Sequence, residues 1–176
     1  MIRRILCPTD LTERSREGVA YALRLAKENG AQLIVFHAAS FPAIGWFACE
    51  LEPYRRWEEL VCKFKLEQLL AAAEHRVKHF VAREFSAELG DVAWKPAAAL
   101  GKAPEVIVAT ALQEDVELIV MARHQRAPLA RLFTMSVWEA VSRIAPCPVL
   151  SIDTTPFQRP SRGGRLPLLR EIFQGY

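Results

Sequence analysis

The chain has 176 residues, of which 51% are hydrophobic and 24% charged; this corresponds to roughly one domain and excludes a disordered chain. The net charge is +3, and residues 153–176 account for +2 of it because their four arginines face only Asp153 and Glu171. The rest of the chain is nearly neutral, whereas a nucleic-acid-binding protein needs a basic face. We therefore expect no nucleic-acid partner.

The first half of the sequence predicts two strands and two helices. An apolar run, Ile2–Leu6, predicts a strand that ends at Pro8, and apolar residues from Val19 to Ala26 recur at helical spacing. Asn29-Gly30 is typical of a left-handed helix stop. The run Leu33–Phe36 then predicts a second buried strand, residues 41–53 a loop, and residues 55–83 a long helix.

The second half continues the alternation of strands and helices. Three strands are predicted at Val92–Trp94, Leu118–Met121 and Val149–Ile152. A short helix over Val106–Gln113 follows Gly101–Glu105, a loop that contains Pro104. Ser136 and Glu139 form a capping-box pattern at the start of a last helix. Residues 154–176, with three Pro, three Gly and four Arg, predict a basic tail after a domain that spans residues 1–153.

This order predicts an α/β fold: a five-stranded, open, parallel sheet of Rossmann type with helices on both faces. Ligands of such sheets bind beyond the carboxyl ends of the strands, where the strand order reverses. The most distinctive segments after strands are Pro8-Thr9-Asp10 and residues 122–135, which contain Arg123, His124, Arg126 and Arg131 but no acidic residue. We therefore expect a site between the first and fourth strands.

The location indicated by the sequence is the cytoplasm. The chain reaches Asp10 before any long apolar run, so we expect no signal peptide. The uncharged stretch 29–49 is interrupted by Gly, Pro and polar residues, which disfavours a membrane span. Four cysteines, without C-x-x-C or metal-ligand spacing, are expected to be reduced thiols.

Several of these segments together resemble the universal stress protein family. They are Ile5–Asp10, Gly101–Glu105, and above all Leu118–Met121 followed by Ser136-Val137 and Ala145–Leu150. The resemblance spans about residues 1–153 and implies an adenine nucleotide α-hydrolase-like fold and a homodimer. In the dimer the edge strand, made of Val149, Leu150, Ser151 and Ile152, would pair with its copy in the second chain.

Many members of that family bind ATP or AMP through a motif of Gly, two residues, Gly, nine residues, Gly, then Ser or Thr. The matching positions in this chain are Ala122, Gln125, Met135 and Ser136, so the spacing and the Ser are kept while all three glycines are replaced. Glycine lets the backbone come close to a phosphate, and side chains here would crowd it. ATP in the family's pose is therefore disfavoured, while AMP or another small anion stays open.

Each candidate site residue has a structural alternative. Asp10 resembles the acidic residue that contacts adenine in the family, or it holds the turn before the first helix. Ser136 is a helix cap or a phosphate ligand, and His37 a packed histidine or part of the rim of an adenine pocket. The arginines of residues 122–135 are a solvated loop or an anion site. The full candidate set is Pro8, Thr9, Asp10, His37, Ala122, Arg123, Gln125, Arg126, Met135, Ser136 and Val137.

Three hypotheses about function follow. The first is a dimeric stress-response or regulatory module that does not bind ATP in the family pose. The second is an adenine-nucleotide sensor, and the third a slow nucleotide hydrolase, although the sequence carries no recognisable catalytic or metal-binding motif. The uncharged segment 41–49, with Phe41, Ile44, Trp46 and Phe47, is expected to pack on the long helix, to cover the cleft or to contact a partner.

Overall fold

The computed structural model describes residues 2–39, 55–123 and 136–153, with the side chains of the second range from residue 65 onward. The segment 41–49, the tail 154–176 and the candidates Gln125, Arg126 and Met135 lie outside the described residues. The strands are β1 (Arg4–Pro8), β2 (Gln32–Ala39), β3 (Trp94–Leu100), β4 (Leu118–Arg123) and β5 (Val149–Asp153). The helices are α1 (Glu13–Asn29), α2 (Arg55–Leu89), α3 (Ala103–Gln113) and α4 (Val137–Ile144).

The five strands form one parallel sheet in the order β3-β2-β1-β4-β5. The chain runs outward from β1 to β3, then returns to the other side of β1 and adds β4 and β5. The order therefore reverses between β1 and β4, which is the place that the sequence predicts for a ligand site. The predicted fold class is confirmed.

The core consists of two layers, one on each face of the sheet. Alternate residues of β1 enter opposite layers: Ile5 and Cys7 pack with α1 and α2, while Leu6 packs with α3 and α4. All three are fully buried. The central strands thus bury both of their faces, which explains their continuous apolar sequences.

Two signals for helix ends, one for the end of α1 and one for the start of α4, act as the sequence predicts. Gly30 adopts a left-handed conformation with φ of 62° and ends α1, where its N–H reaches the carbonyls of Ala26 and Lys27. At the start of α4, the Glu139 N–H donates to Ser136 Oγ, and the Ser136 N–H donates to the Glu139 carboxylate. The predicted capping box is confirmed.

The prediction was wrong about the position of β3, which lies at Trp94–Leu100 instead of Val92–Trp94. Among the described strands, β3 pairs only with β2 and is therefore an edge strand, and an edge strand tolerates a proline such as Pro96. The long helix also continues to Leu89 instead of ending near Arg83, passing through non-helical dihedral angles at Phe85.

No helix among the described residues has the length and apolar character that a membrane crossing requires.

Candidate functional site

A cavity of about 450 Å³ lies at the carboxyl edge of the sheet, between the ends of β1 and β4. Its walls come from the ends of β1, β2 and β4, the segment after β1, and the first turns of α3 and α4. Eight of the candidates from the sequence line it: Pro8, Thr9, Asp10, His37, Ala122, Arg123, Ser136 and Val137. The volume is in the range of small-molecule sites.

The turn after β1 is held by side chains that bond to its own backbone. Asp10 Oδ1 accepts hydrogen bonds from the backbone N–H of Thr12 at 3.0 Å and from its hydroxyl at 2.7 Å. Thr9 Oγ1 accepts from the Leu11 N–H at 3.0 Å. These bonds hold Leu11 at a φ of 62°, which is unusual for a residue with a side chain. Asp10 therefore holds the turn before the first helix, and the same residue lines the cavity.

Two buried hydroxyl groups support this turn from below. Thr9 Oγ1 lies 2.7 Å from Ser15 Oγ, and Ser15 Oγ donates to the Thr12 carbonyl at 2.9 Å. Since Ser15 uses its proton on that carbonyl, the Thr9 hydroxyl is the donor to Ser15. Thr9 and Ser15 are both buried, so the start of α1 is linked to the end of β1 by a directed chain of hydrogen bonds.

The histidine of β2 lies beside the same turn. His37 Nδ1 is 2.9 Å from the carbonyl oxygen of Thr9. A carbonyl only accepts, so Nδ1 carries the proton in this contact, and Nε2 is the remaining polar atom of the ring. His37 is half-buried, as a histidine at the rim of a cleft would be.

The end of β4 packs closely against α1 through a residue without a side chain. A methyl group added to Gly18 would lie 3.0 Å from Ala122 N and 3.1 Å from Ala122 Cβ. The methyl group of Ala122 therefore lies against α1, at the position where the family motif has its first glycine. Gly18 and Ala122 together set how closely the helix and the strand approach at the edge of the cavity.

The side of the cavity next to α4 contains a pair that the sequence analysis missed. The guanidinium carbon of Arg123 lies 4.7 Å from the centre of the Trp138 ring, and both residues line the cavity. Arg123 was a candidate but Trp138 was not, because the 14 residues between them hide the contact in the sequence. The available signal was the position of Trp138 in the first helical turn after the capping Ser136.

Glu139 completes this side of the cavity and carries a negative charge. The hydrogen bond from the Ser136 N–H lowers the pKa of the Glu139 carboxyl, and the charges of Arg123 and Arg143 lower it further. Ser136 Oγ accepts the Glu139 N–H at 3.2 Å, so the capping role of Ser136 is occupied. The Ser136 side chain also hydrogen-bonds to the Glu139 carboxyl, which lowers the pKa of that carboxyl as well.

The cysteines show no sign of a reactive site in the described residues. Burial raises the pKa of the Cys7 thiol to about 12 and also raises that of Cys147. A thiol that stays protonated is a poor nucleophile. The part of the chain that the structure describes also contains no cluster of three or more potential metal ligands, and His75 and His79 are exposed on α2.

The fold and the cavity define an α/β domain with a cleft at the switch point of its sheet. A family model described as the universal stress protein family matches residues 1–152. The chain belongs to the universal stress protein family. A comparison with the sequences of curated proteins gives no match.

Solved structures of the family share the fold. Universal stress protein UspA from Lactobacillus plantarum aligns with 86% of this chain and 97% of its own, at 18% identity and a TM-score of 0.58. A universal stress protein in complex with cAMP aligns with 88% of this chain and 98% of its own, at 19% identity and a TM-score of 0.57. The hypothetical protein MJ0577 aligns with 89% and 99%, at 25% identity and a TM-score of 0.55.

Proposed function

We propose that this chain is a dimeric regulatory module of the universal stress protein family that does not bind ATP in the family's usual pose. The charge of the cleft carries this proposal. The described residues that line the cavity include two carboxylates, Asp10 and Glu139, and one guanidinium, that of Arg123. With histidine neutral, the net charge of these described residues is −1, and a lining of that sign disfavours a triphosphate.

The phosphate-binding end of the family motif supports the same conclusion. Ser136, the residue of the motif that this chain keeps, exchanges two hydrogen bonds with Glu139. The Glu139 carboxylate thus lies at the amino end of α4, where the helix dipole would otherwise favour a bound anion. An incoming phosphate meets this carboxylate, and the glycines that would let the backbone adjust are replaced.

Isothermal titration calorimetry with ATP tests the proposal. The unaltered protein is expected to bind ATP more weakly than micromolar. A variant with glycine restored at Ala122, Gln125 and Met135 is expected to bind more tightly, because the backbone can then approach the phosphates. Micromolar or tighter binding of ATP by the unaltered protein would refute the proposal.

The second part of the proposal is that β5 pairs with its copy in a second chain. In the part of the chain that the structure describes, β5 is an edge strand that bonds only to β4, and Val149, Leu150, Ser151 and Ile152 are half-buried in the single chain. An apolar edge strand is a site for pairing unless it is covered. A two-fold axis across this strand would make the sheet continuous between two protomers.

Light scattering tests the dimer with a matched pair of variants. Leu150→Lys places a charge on the proposed interface and is expected to give a monomer or an aggregate. Ala98→Lys places the same charge on β3, the opposite edge of the sheet, and is expected to leave the dimer intact. A monomeric unaltered protein at high concentration, or dissociation by Ala98→Lys alone, would contradict the proposal.

An adenine-nucleotide sensor is the alternative, and the size and place of the cavity favour it. About 450 Å³ at the switch point of the sheet is room for a small ligand. One fold relative was solved in complex with cAMP, although at 19% identity that likeness concerns the fold. Mass spectrometry of ligand released from the purified protein separates the two proposals, since a sensor is expected to release an adenine nucleotide.

A further inference from the structure

The two edges of the sheet differ in the backbone groups that they present. At the β3 edge, the Leu33 N–H donates to the Ala93 carbonyl at 2.8 Å, and the Gly101 N–H donates to the Ala39 carbonyl at 3.1 Å. Since the backbone groups of a strand point alternately to its two sides, the odd-numbered residues of β3 bond to β2. The even-numbered residues direct their backbone groups away from β2, and these are Trp94, Pro96, Ala98 and Leu100.

Proline occupies one of these outward positions. Pro96 has no N–H, so the row of outward donors is interrupted between Trp94 and Ala98. Outward donors two residues apart are separated by about 6.6 Å, and the loss of one leaves a gap of about 13 Å. A strand that approached this edge would leave one of its carbonyls without a donor, and it would meet the pyrrolidine ring where the hydrogen should be.

The rest of β3 is suited to pairing with another chain. The three alanines after Pro96 have neither charge nor bulk, and all seven residues of the strand are half-buried. Lys95 is the one charged residue of β3, and its Nζ lies 2.7 Å from Glu114 Oε2. An apolar edge strand pairs with other chains unless a feature of the strand prevents it. Pro96 is the feature of β3 that opposes such pairing.

The β5 edge has no such interruption at its outward positions. The Ile119 N–H donates to the Pro148 carbonyl at 3.0 Å, and Ile119 is the register partner of Val149. Val149 and Ser151 therefore direct their backbone groups away from β4, and both carry an N–H. The two edges thus differ in their capacity to add a strand.

We propose that Pro96 closes the β3 edge to other copies of this chain, so that assembly stops at the dimer formed through β5. This inference rests on the proposed dimer, because pairing through β5 would join two five-stranded sheets and leave β3 at both ends. An open β3 edge at each end would let dimers join into longer assemblies. A second copy is the partner concerned, since every copy presents the same apolar strand.

Size-exclusion chromatography with light scattering tests this proposal on the full chain over a range of concentrations. Pro96→Val supplies the missing N–H and a side chain that favours strands. It is expected to at least double the mean mass relative to the unaltered protein, and the mass should rise with concentration. Pro96→Ala is the smaller change and is expected to act in the same direction, so the test holds if Pro96→Val is unstable. Circular dichroism checks that each variant is folded.

Moving the proline along the edge gives a matched comparison. Ala98→Pro, added to Pro96→Val, places a proline at the next outward position and is expected to return the mass to that of the unaltered protein. Pro104→Ala is the control, because it removes a proline from the first turn of α3, away from the sheet edge. It is expected to leave the mass unchanged.

The proposal is overturned if folded Pro96→Val and Pro96→Ala keep the mass of the unaltered chain at every concentration. Growth that persists after Ala98→Pro is added, or equal growth of Pro104→Ala, would also overturn it. The proposed dimer is tested separately, by the mass of the unaltered chain. If that chain is a monomer, the dimer fails, and Pro96→Val is still expected to associate through β3.

Discussion

At the amino end of the sheet, charged side chains pair with one another, whereas at the carboxyl end they surround a cavity. Lys95 Nζ lies 2.7 Å from Glu114 Oε2, and Arg4 donates to the Glu114 carbonyl at 2.6 Å. Arg3 pairs with Glu117 through both its backbone N–H and its side chain. These pairs join the starts of β1 and β3 to the end of α3 and the residue before β4.

The carboxyl end has a different arrangement of polar groups. Thr9, Asp10, His37, Arg123 and Glu139 all line one cavity. Thr9 and Asp10 bond within the turn after β1, His37 bonds to the Thr9 carbonyl, and Glu139 bonds to Ser136. Bonds within each turn fix the side chains in place without filling the space between the elements. The comparison indicates that charge at the amino end joins the parts of the fold, and that charge at the carboxyl end surrounds a cavity, which we propose as a ligand site.

The largest loss of stability is expected from a substitution at Gly18, where α1 packs closely against β4 at the carboxyl end. Gly18→Ala places a methyl group 3.0 Å from the backbone nitrogen of Ala122, so α1 must move away from β4. We expect the free energy of unfolding to fall by about 1–3 kcal/mol, as overpacking usually costs. Adding Ala122→Gly is expected to restore part of the loss. Chemical denaturation measures both, and equal stability of Gly18→Ala and the unaltered chain would contradict the close approach.

Loss of the helix cap at the carboxyl end should have the next largest effect. Ser136→Ala removes the acceptor of the Glu139 N–H and is expected to cost about 1 kcal/mol in the free energy of unfolding. Glu139→Gln is the control, and it should cost less because the reciprocal bond to Ser136 is kept. Thermal unfolding measures the difference, and a larger loss in the control would show that the charge, not the cap, stabilises this turn.

The ion pair of Lys95 and Glu114 at the amino end should contribute less to stability. A double-mutant cycle of Lys95→Met and Glu114→Gln is expected to give a coupling energy of about 0.2–1 kcal/mol, because both side chains are partly exposed to solvent. The coupling should also decrease in high salt. A coupling above this range would mean that the amino end is more than a set of surface ion pairs.

At the amino end, the contribution of Glu117 to stability should depend on pH, and the direction of this dependence can be predicted. The hydrogen bond from the Arg3 backbone N–H lowers the pKa of Glu117 in the folded chain. Glu117 therefore stabilises the fold above its unfolded pKa, and this contribution is lost as pH falls through the folded value. Glu117→Gln is expected to be less stable than the unaltered chain at neutral pH and equal to it in acid. A difference that persists in acid would contradict this assignment.

The sequence predicted the architecture, and eight of its eleven candidate site residues line the cavity, because both depend on local patterns. Buried strands are continuous apolar runs. Pro8-Thr9-Asp10 come at the end of the first such run, and Ser136 stands in a capping-box pattern before the last helix. The pairing of Arg123 with Trp138 was not predictable, since it depends on how α4 is oriented across β4. The position of β3 was also missed, because the tolerance of Pro96 depends on β3 being an edge strand, which only the topology reveals.

The most direct test of the central claim compares inorganic phosphate, AMP and ATP on the same unaltered protein by isothermal titration calorimetry. The described lining opposes one guanidinium with two carboxylates, and the glycines that would let the backbone approach the phosphates are replaced, so we expect added phosphate groups to gain little. The account predicts that ATP binds no more tightly than AMP. An affinity for ATP about tenfold or more above that for AMP would show that the cleft does bind a triphosphate, and would contradict the account.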